Sequence, residues 1–163
     1  MPLPNKGQLE KLFCLVIAEA KAGVVRGHGG PFGAVVARNG RPLAAAHNTV
    51  LRDADPTAHA EVNAIRKAAK KAGRPHLRGC VLITTSEPCP LCLAAAYWAG
   101  LAGIYYCLPK SVAARQGFSD AFIYHELGKP LRSRSIKEVR FGGSRDAVLE
   151  VFRDWRRRGG KLY

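Results

Sequence analysis

The 163-residue sequence predicts one α/β domain, in which helices cover both faces of a mixed β-sheet in an α/β/α arrangement. Three observations support this class. Apolar residues follow helical spacing in some segments and form short strand-like runs in others, the two patterns alternate through the middle of the chain, and no repeat or low-complexity linker interrupts them. With 47% apolar residues, the chain can bury an ordinary core but has no length left for a second domain.

The first part of the chain predicts a helix followed by a hairpin. Apolar residues recur at helical spacing from Leu9 to Ala20, and we expect Gly23 to cap this helix. Two apolar runs, 32–37 and 42–47, then flank Asn39-Gly40. Because Asn-Gly favours the tight turn of a hairpin, these runs are predicted to be antiparallel strands.

The second helix is predicted to carry two polar residues of chemical interest. Asp55-Pro56-Thr57 offers capping residues with a proline near the first turn, and a buried stripe then continues to Gly73. His59 and Glu61 are therefore expected in the first turn of this helix.

The remaining elements alternate strand and helix. The run 80–85 is typical of a buried strand, 89–99 is predicted to be a helix, and 103–108 a fourth strand. An apolar stripe from Val148 to Trp155 predicts a last amphipathic helix.

One motif connects two of these helices to zinc chemistry. His59-Ala60-Glu61 is followed about thirty residues later by Pro88-Cys89 and by Cys92. One imidazole and two thiolates are common zinc ligands, and three protein ligands leave the fourth tetrahedral position open, as in catalytic sites. Glu61 is then available as a general acid and base, and this spacing is a known signature of zinc-dependent nucleobase deaminases.

Other roles are possible for the same residues. Cys89 and Cys92 alone are also typical of a redox pair, and His59 or Glu61 alone of ordinary structural or solvated residues. A closed structural zinc site would need a fourth ligand, for which the candidates are Cys14, Cys80, Cys107, His28, His47, His76 and His125. No set of Ser and His residues indicates a hydrolase triad.

Composition limits location and partners. Five cysteines, two assigned to metal, form no even disulfide framework, and the sequence contains no segment typical of a signal peptide or membrane span, so we expect a cytoplasmic protein. The formal charge is +14, and segment 129–163 holds eleven basic against four acidic residues. This excess is compatible with nucleic-acid binding, but equally with solubility or subunit contacts.

The motifs together resemble the cytidine-deaminase-like superfamily and, within it, the bacterial guanine deaminases, over nearly the whole chain. Besides the zinc motif, the resemblance rests on the segments 30–35, 55–62, 87–92, 97–99, 117–124 and 155–163, and on Asn48. Segment 55–61 also resembles the tRNA adenosine deaminases. Ser119 departs from a familiar acidic position, which leaves Asp120 as the only carboxylate of segment 117–124.

The resemblance implies one Zn²⁺ per chain and hydrolysis of guanine to xanthine and ammonia. The implied catalytic residues are Glu61, Asp120 and Tyr163. The implied substrate contacts are Phe32, Asn48, His59 and Trp98. Each also has a simpler interpretation, since Asn48 suits a turn, the aromatic residues suit a core, Asp120 suits a solvated loop and a chain terminus is commonly disordered.

The resemblance further implies a homodimer that exchanges segment 144–163, so that Tyr163 covers the pocket of the partner. Two other functions stay open on the sequence alone. One is a tRNA-specific adenosine deaminase, which the basic charge favours, and the other is a structural zinc or nucleic-acid-binding module.

Overall fold

The computed structural model describes residues 3–162, and its first element is the helix α1, Lys6–Val25. Asn5 caps it: the Asn5 side chain accepts a hydrogen bond from Gln8 N, and the Gln8 side chain accepts one from Asn5 N, both at 2.9 Å. The prediction that Gly23 ends this helix is wrong. Gly23 is buried inside α1 and packs against the ring of His47. A Cβ added at Gly23 would lie 2.9 Å from that ring, so only glycine fits this position.

Four strands form the predicted mixed sheet. They are β1 (Gly33–Arg38), β2 (Arg41–His47), β3 (Cys80–Ser86) and β4 (Gly103–Leu108). Their order is β2-β1-β3-β4, in which β1 is antiparallel to both neighbours and β3 is parallel to β4. Asn39 and Gly40 have φ values of 52° and 71°, so the predicted hairpin turn is confirmed.

Four helices complete the first part of the chain after α1 and the hairpin. They are α2 (Val50–Asp53), α3 (Ala60–Ala72), α4 (Pro90–Trp98) and α5 (Lys110–Arg115). Helix α3 starts later than the capping pattern predicted, because Asp55 accepts hydrogen bonds from the backbone and hydroxyl of Thr57 in a separate turn. His59 is therefore the N-cap of α3 and only Glu61 lies in the first turn, whereas Gly73 ends the helix as predicted.

The sheet is covered on both faces, which confirms the α/β/α arrangement. Alternate strand residues point to opposite sides. Val35 and Ile83 pack with residues of α1, such as Val16, in one buried cluster. Val36 and Leu82 pack in the other cluster, which includes the small residues that α3 and α4 turn toward the sheet, Ala60, Ala64, Ala68 and Ala96.

The chain divides into two compact units, 1–121 and 122–163. The second contains most of helix α6 (Ala121–Gly128), a 3₁₀ turn (Leu131–Ser133) and the predicted last helix, α7 (Arg145–Arg157). Four large apolar side chains of α7 are exposed, Val148, Val151, Phe152 and Trp155, while Leu149 is half-buried. The apolar stripe predicted for this helix thus exists, and α7 has no buried residue.

Within residues 3–162, no helix combines the length and the apolar character needed to cross a membrane.

Candidate active site

Three metal-ligand atoms meet where α3 and α4 begin. His59 is the N-cap of α3, Cys89 is the N-cap of α4, and Cys92 lies in the first turn of α4. His59 Nδ1 is 3.5 Å from Cys89 Sγ and 3.4 Å from Cys92 Sγ, and the two sulfur atoms are 3.5 Å apart. The N-termini of the two helices thus meet, as a shared zinc ion bound by these three residues requires.

These distances fit a zinc ion. A tetrahedral Zn²⁺ with bonds of about 2.3 Å to sulfur and about 2.1 Å to nitrogen places its ligands about 3.6–3.8 Å apart. The observed separations are only slightly shorter, so the three side chains can hold zinc with little movement. In the described part of the chain, no other His, Cys, Asp or Glu joins this group, which argues against a closed four-ligand structural site.

The protonation states of His59, Cys89 and Cys92 also suit a divalent cation. Contact with Cys92, followed by the bond with His59, lowers the pKa of Cys89 to about 4. The pKa of Cys92 is raised by contact with Cys89 and by burial, because this sulfur keeps the proton that the pair shares. The bond with Cys89 raises the pKa of His59. Since zinc binds thiolates and neutral imidazole, it would displace these protons.

Glu61 lies beside these three ligand residues, and its two carboxylate oxygens have different contacts. The residue is only 5% exposed. Its Oε1 accepts a hydrogen bond of 2.7 Å from the Thr84 hydroxyl, and its Oε2 is 3.4 Å from Cys92 Sγ. Burial raises the pKa of Glu61, and the bond from Thr84 opposes that rise. One oxygen is therefore anchored, while the other faces the metal ligands.

Sequence reasoning missed two residues that hold this site. Thr84 is fully buried in β3, and its signal was a hydroxyl residue inside an otherwise apolar strand. Asn63 donates from Nδ2 to His47 O at 3.1 Å, Thr49 Oγ1 at 2.9 Å and Ala58 O at 3.1 Å. Asn63 is half-buried in α3, and spacing alone could not identify its partners.

The structure brings two of the predicted substrate residues together. Asn48 is buried, and its backbone N–H donates to the carbonyl of Phe32 at 3.0 Å. The ring of Phe32 packs edge-on against Phe118, with centroids 5.0 Å apart. Asp120 follows two residues later and is half-buried. The Thr84 hydroxyl oxygen, which donates its single proton to Glu61, also lies 3.3 Å from the carbonyl oxygen of Gly33, next to Phe32, so this group lies close to the residue that anchors Glu61.

The other two predicted residues are placed differently. Trp98 ends α4 and is 70% exposed, so it belongs to the surface of the first unit. Tyr163 lies outside the described residues. The roles predicted for these two residues stay predictions.

Comparison with known proteins places this geometry in a family. A family model for the "cytidine and deoxycytidylate deaminase zinc-binding region" matches residues 6–108. The guanine deaminase of Bacillus subtilis is 50% identical over 114 residues, which are 70% of this chain and 73% of that protein. An X-ray structure of guanine deaminase from Bacillus subtilis superimposes with a TM-score of 0.83 and 41% identity, over 89% of this chain and 93% of that one.

Proteins that act on RNA are also similar, over a shorter length. The tRNA-specific adenosine deaminase of Aquifex aeolicus is 40% identical over 78 residues, which are 48% of this chain and 51% of that protein.

Proposed function

The chain belongs to the family of zinc-binding cytidine and deoxycytidylate deaminases, and on that basis we propose that it hydrolyses guanine to xanthine and ammonia, a step of purine catabolism. The buried Glu61 carboxylate beside three zinc-ligand atoms is the observation that carries the reaction type. The similarity to guanine deaminases, which extends over most of the chain, carries the substrate.

The residues present divide the chemistry between them. Zinc held by His59, Cys89 and Cys92 would supply the Lewis acidity that makes water nucleophilic near neutral pH. Glu61 Oε2 accepts a proton from the attacking water, delivers it to a ring nitrogen and then helps to protonate the departing amine. The water oxygen first bonds to C2 of guanine, and the bond from C2 to the protonated amine then breaks, so one water is consumed for each ammonia released.

Burial of Glu61 suits it both to accept a proton from water and to donate one to the substrate. A carboxyl group must hold a proton between the two transfers, and the raised pKa of Glu61 favours that protonated form. Thr84 fixes Oε1, which leaves Oε2 on the side of the metal ligands. The bond from Thr84 thus holds the carboxylate with Oε2 toward the metal ligands.

For the substrate contacts we retain Asn48, Phe32 and His59, with Trp98 on the surface of the same unit. Asn48 Oδ1 accepts a hydrogen bond from Val50 N at 3.1 Å, which is the turn geometry considered for this residue. The Asn48 amide still offers its N–H₂ group to a purine edge. The local turn and a substrate contact are therefore compatible.

Asp120 distinguishes guanine from adenine in this proposal. Guanine has an N1–H donor that adenine lacks, and a carboxylate accepts from it. The contact between Phe118 and Phe32 supports this role, because it holds the segment that precedes Asp120 near the candidate substrate residues. Asp120→Asn should therefore reduce kcat/KM for guanine, with little reduction in zinc content.

The dimer and the covering tail are further parts of the proposal. Helix α7 exposes four large apolar side chains, a pattern that favours burial against another chain. We propose a homodimer in which segment 144–163 is exchanged and Tyr163 covers the pocket of the partner. Exclusion of water around the reacting groups would strengthen the electrostatic interactions there.

A truncation tests this tail. Removal of Gly159 to Tyr163 should lower kcat/KM for guanine severely, with zinc content and melting temperature little changed. Tyr163→Phe removes only the phenol hydroxyl and so tests its role separately from the covering of the pocket. Full activity of the truncated protein would contradict the proposal. Light scattering of both forms reports the oligomeric state.

A tRNA-specific adenosine deaminase is the second candidate, because the charge of +14 and the partial similarity to such enzymes favour it. The basic residues of α7 weaken this argument. Arg153 pairs with Glu150, and Arg157 pairs with Glu150 and Asp154, so part of the charge is neutralised within the helix. A structural or nucleic-acid-binding zinc module would release no ammonia from any substrate.

We also propose a cytoplasmic location, because none of the five cysteines, all of which the structure describes, forms a disulfide.

A further inference from the structure

Glu87 lies in the short connection between β3 and α4, two positions before the metal-ligand residue Cys89. Its backbone N–H donates to the carbonyl of Leu108, at the end of β4, at 2.8 Å. Its side chain contacts Lys110 twice. Oε2 accepts a hydrogen bond of 3.1 Å from the Lys110 backbone N–H, and Oε1 lies 3.7 Å from the Lys110 Nζ atom. The proposed reaction gives Glu87 no role.

The carboxylate of Glu87 replaces the usual cap of helix α5. A helix begins with backbone N–H groups that have no partner within the helix, and the side chain of the preceding residue commonly accepts from one of them. The preceding residue here is Pro109, whose ring contains no acceptor. Glu87, from a distant part of the chain, accepts from the N–H of Lys110, the first residue of α5. Its negative charge is also favourable at this end of a helix.

The position of α5 depends on the contacts at its two ends. The helix has only six residues, well below the length at which a helix is stable on its own. None of these residues is buried, and only Val112, Ala113 and Ala114 are half-buried. Packing against the rest of the domain therefore stabilises α5 little, and the bond to Glu87 is important for fixing its start.

The other end of α5 is closed by a hydrogen-bonded turn that leads to Phe118. The N–H of Gly117 donates to the carbonyl of Ala114 at 3.0 Å. The N–H of Phe118 donates to the carbonyl of Ala113 at 3.1 Å. Gly117 has a φ of 92°, a value that favours glycine, as is common where a helix ends in this way. These bonds fix Phe118 relative to α5.

Phe118 in turn lies against the candidate substrate residues. Its ring packs edge-on against Phe32, and a Cβ added at Gly30 would lie 3.1 Å from Phe118 Cε1. Asp120, the carboxylate assigned to the N1–H of guanine, follows two positions later and is half-buried. A shift of α5 would therefore move the packing partner of Phe32 and the backbone that carries Asp120.

We propose that Glu87 is a positioning residue for guanine binding, which fixes α5 beside the metal-ligand connection and thereby places Phe118 and Asp120. This inference rests on the proposed function, because it takes Phe32 and Asp120 to contact guanine. The bond to the Lys110 backbone is the one that matters. The ion pair with Lys110 Nζ is long, and its side chains are 48% and 28% exposed, so it contributes little.

Five proteins test the proposal: the wild type, Glu87→Met, Glu87→Gln, Lys110→Met and the control Glu10→Met. Methionine has nearly the length of glutamate but lacks a strong acceptor, whereas glutamine keeps an oxygen that accepts from the Lys110 N–H. Lys110→Met removes the ion pair and keeps the backbone bond. Glu10 is an exposed carboxylate of α1 and receives the same substitution. KM and kcat for guanine, zinc content and melting temperature are measured for each.

Glu87→Met should raise KM for guanine by about 3- to 30-fold, the factor that corresponds to the loss of one helix cap. Its kcat should stay within about two-fold of the wild type, because the displaced residues bind guanine, and its zinc content should be unchanged. Glu87→Gln, Lys110→Met and Glu10→Met should keep KM within about two-fold of the wild type. Glu87→Ala removes the same acceptor as Glu87→Met and should match it.

Three results would overturn the positioning role. They are a wild-type KM in Glu87→Met and Glu87→Ala, an equal rise of KM in Glu87→Gln, and a loss of zinc or of kcat that accounts for the whole loss of activity. The last result would mean that Glu87 supports only the connection to Cys89.

A second measurement separates this inference from the proposed function, because it needs no substrate. Amide hydrogen exchange is followed by NMR at Lys110 and Phe118, at the two ends of α5. Both amides should exchange about 3- to 30-fold faster in Glu87→Met than in the wild type, while those of α3 and α4 keep their rates. If the wild type releases no ammonia from guanine, the proposed function fails, and this comparison alone decides the inference. An unchanged exchange rate at Phe118 would overturn it.

Discussion

Thr84 tests whether the fixed orientation of Glu61 matters for the reaction. Thr84→Val replaces the hydroxyl with a methyl group of nearly the same shape, in a position with no solvent exposure. The change removes the 2.7 Å hydrogen bond to Glu61 Oε1 and adds no cavity. Oε1 of the buried carboxylate then loses its only side-chain donor, and Oε2 is held less firmly toward the metal ligands.

The size of the effect follows from this bond. A hydrogen bond to a charged group contributes about 1.5–3 kcal/mol, which corresponds to a factor of about 10–150 in rate if the interaction is needed in the transition state. We therefore expect kcat of Thr84→Val to fall by about 10- to 150-fold, with KM changed much less. The free energy of unfolding should fall by up to about the same 1.5–3 kcal/mol, because the desolvated carboxylate stays buried.

The assay is ammonia release from guanine, with zinc content and urea unfolding measured on the same samples. Thr84→Ser keeps the hydroxyl and should retain most of kcat, while Thr85→Val changes the next residue of β3, whose hydroxyl oxygen accepts only a long bond of 3.4 Å from Gly33 N. Full kcat in Thr84→Val, or an equal loss in Thr84→Ser, would refute the role given to this hydroxyl.

The remaining predictions concern the metal, the proton shuttle and helix packing. Cys89→Ala should lose zinc by metal analysis, and undiminished zinc would contradict the ligand assignment. Glu61→Gln should lower kcat by at least about 10²–10⁴ with normal zinc content, and activity within a few-fold of the wild type would exclude Glu61 as the shuttle. Gly23→Ala should destabilise the protein by about 1–3 kcal/mol because its methyl group meets the His47 ring, whereas Gly7→Ala, whose added Cβ would meet only Asn5 Oδ1 at an ordinary 3.8 Å, should stabilise it by up to about 1 kcal/mol in thermal unfolding.

The ligand set was predictable because zinc chemistry restricts which side chains can serve. His59, Cys89 and Cys92 followed from residue type and spacing, and their convergence required only that two helices begin at one edge of the sheet. Thr84 was not predictable in its role, since a threonine inside an apolar strand is common and its partner is 23 positions away. The pairing of Thr84 with Glu61 depends on tertiary contacts, which sequence spacing does not reveal.

Gly23 shows the same limit for the fold. The end of an apolar pattern at a glycine usually marks the end of a helix, yet α1 continues to Val25. The glycine is required by the ring of His47 on another element, so a tertiary contact determined its position. The short helices α5 and α6 were missed because fewer than three turns give too little periodicity to detect.

The most direct test of the proposed reaction is a comparison of two substrates with the zinc-loaded protein. Free guanine and a tRNA anticodon stem-loop are incubated separately, and xanthine, inosine and ammonia are measured. We predict that guanine is converted to xanthine with one ammonia for each molecule, and that the stem-loop is unchanged. Inosine in the stem-loop, with no xanthine formed from guanine, would contradict guanine deamination and make the tRNA-specific adenosine deaminase the correct assignment.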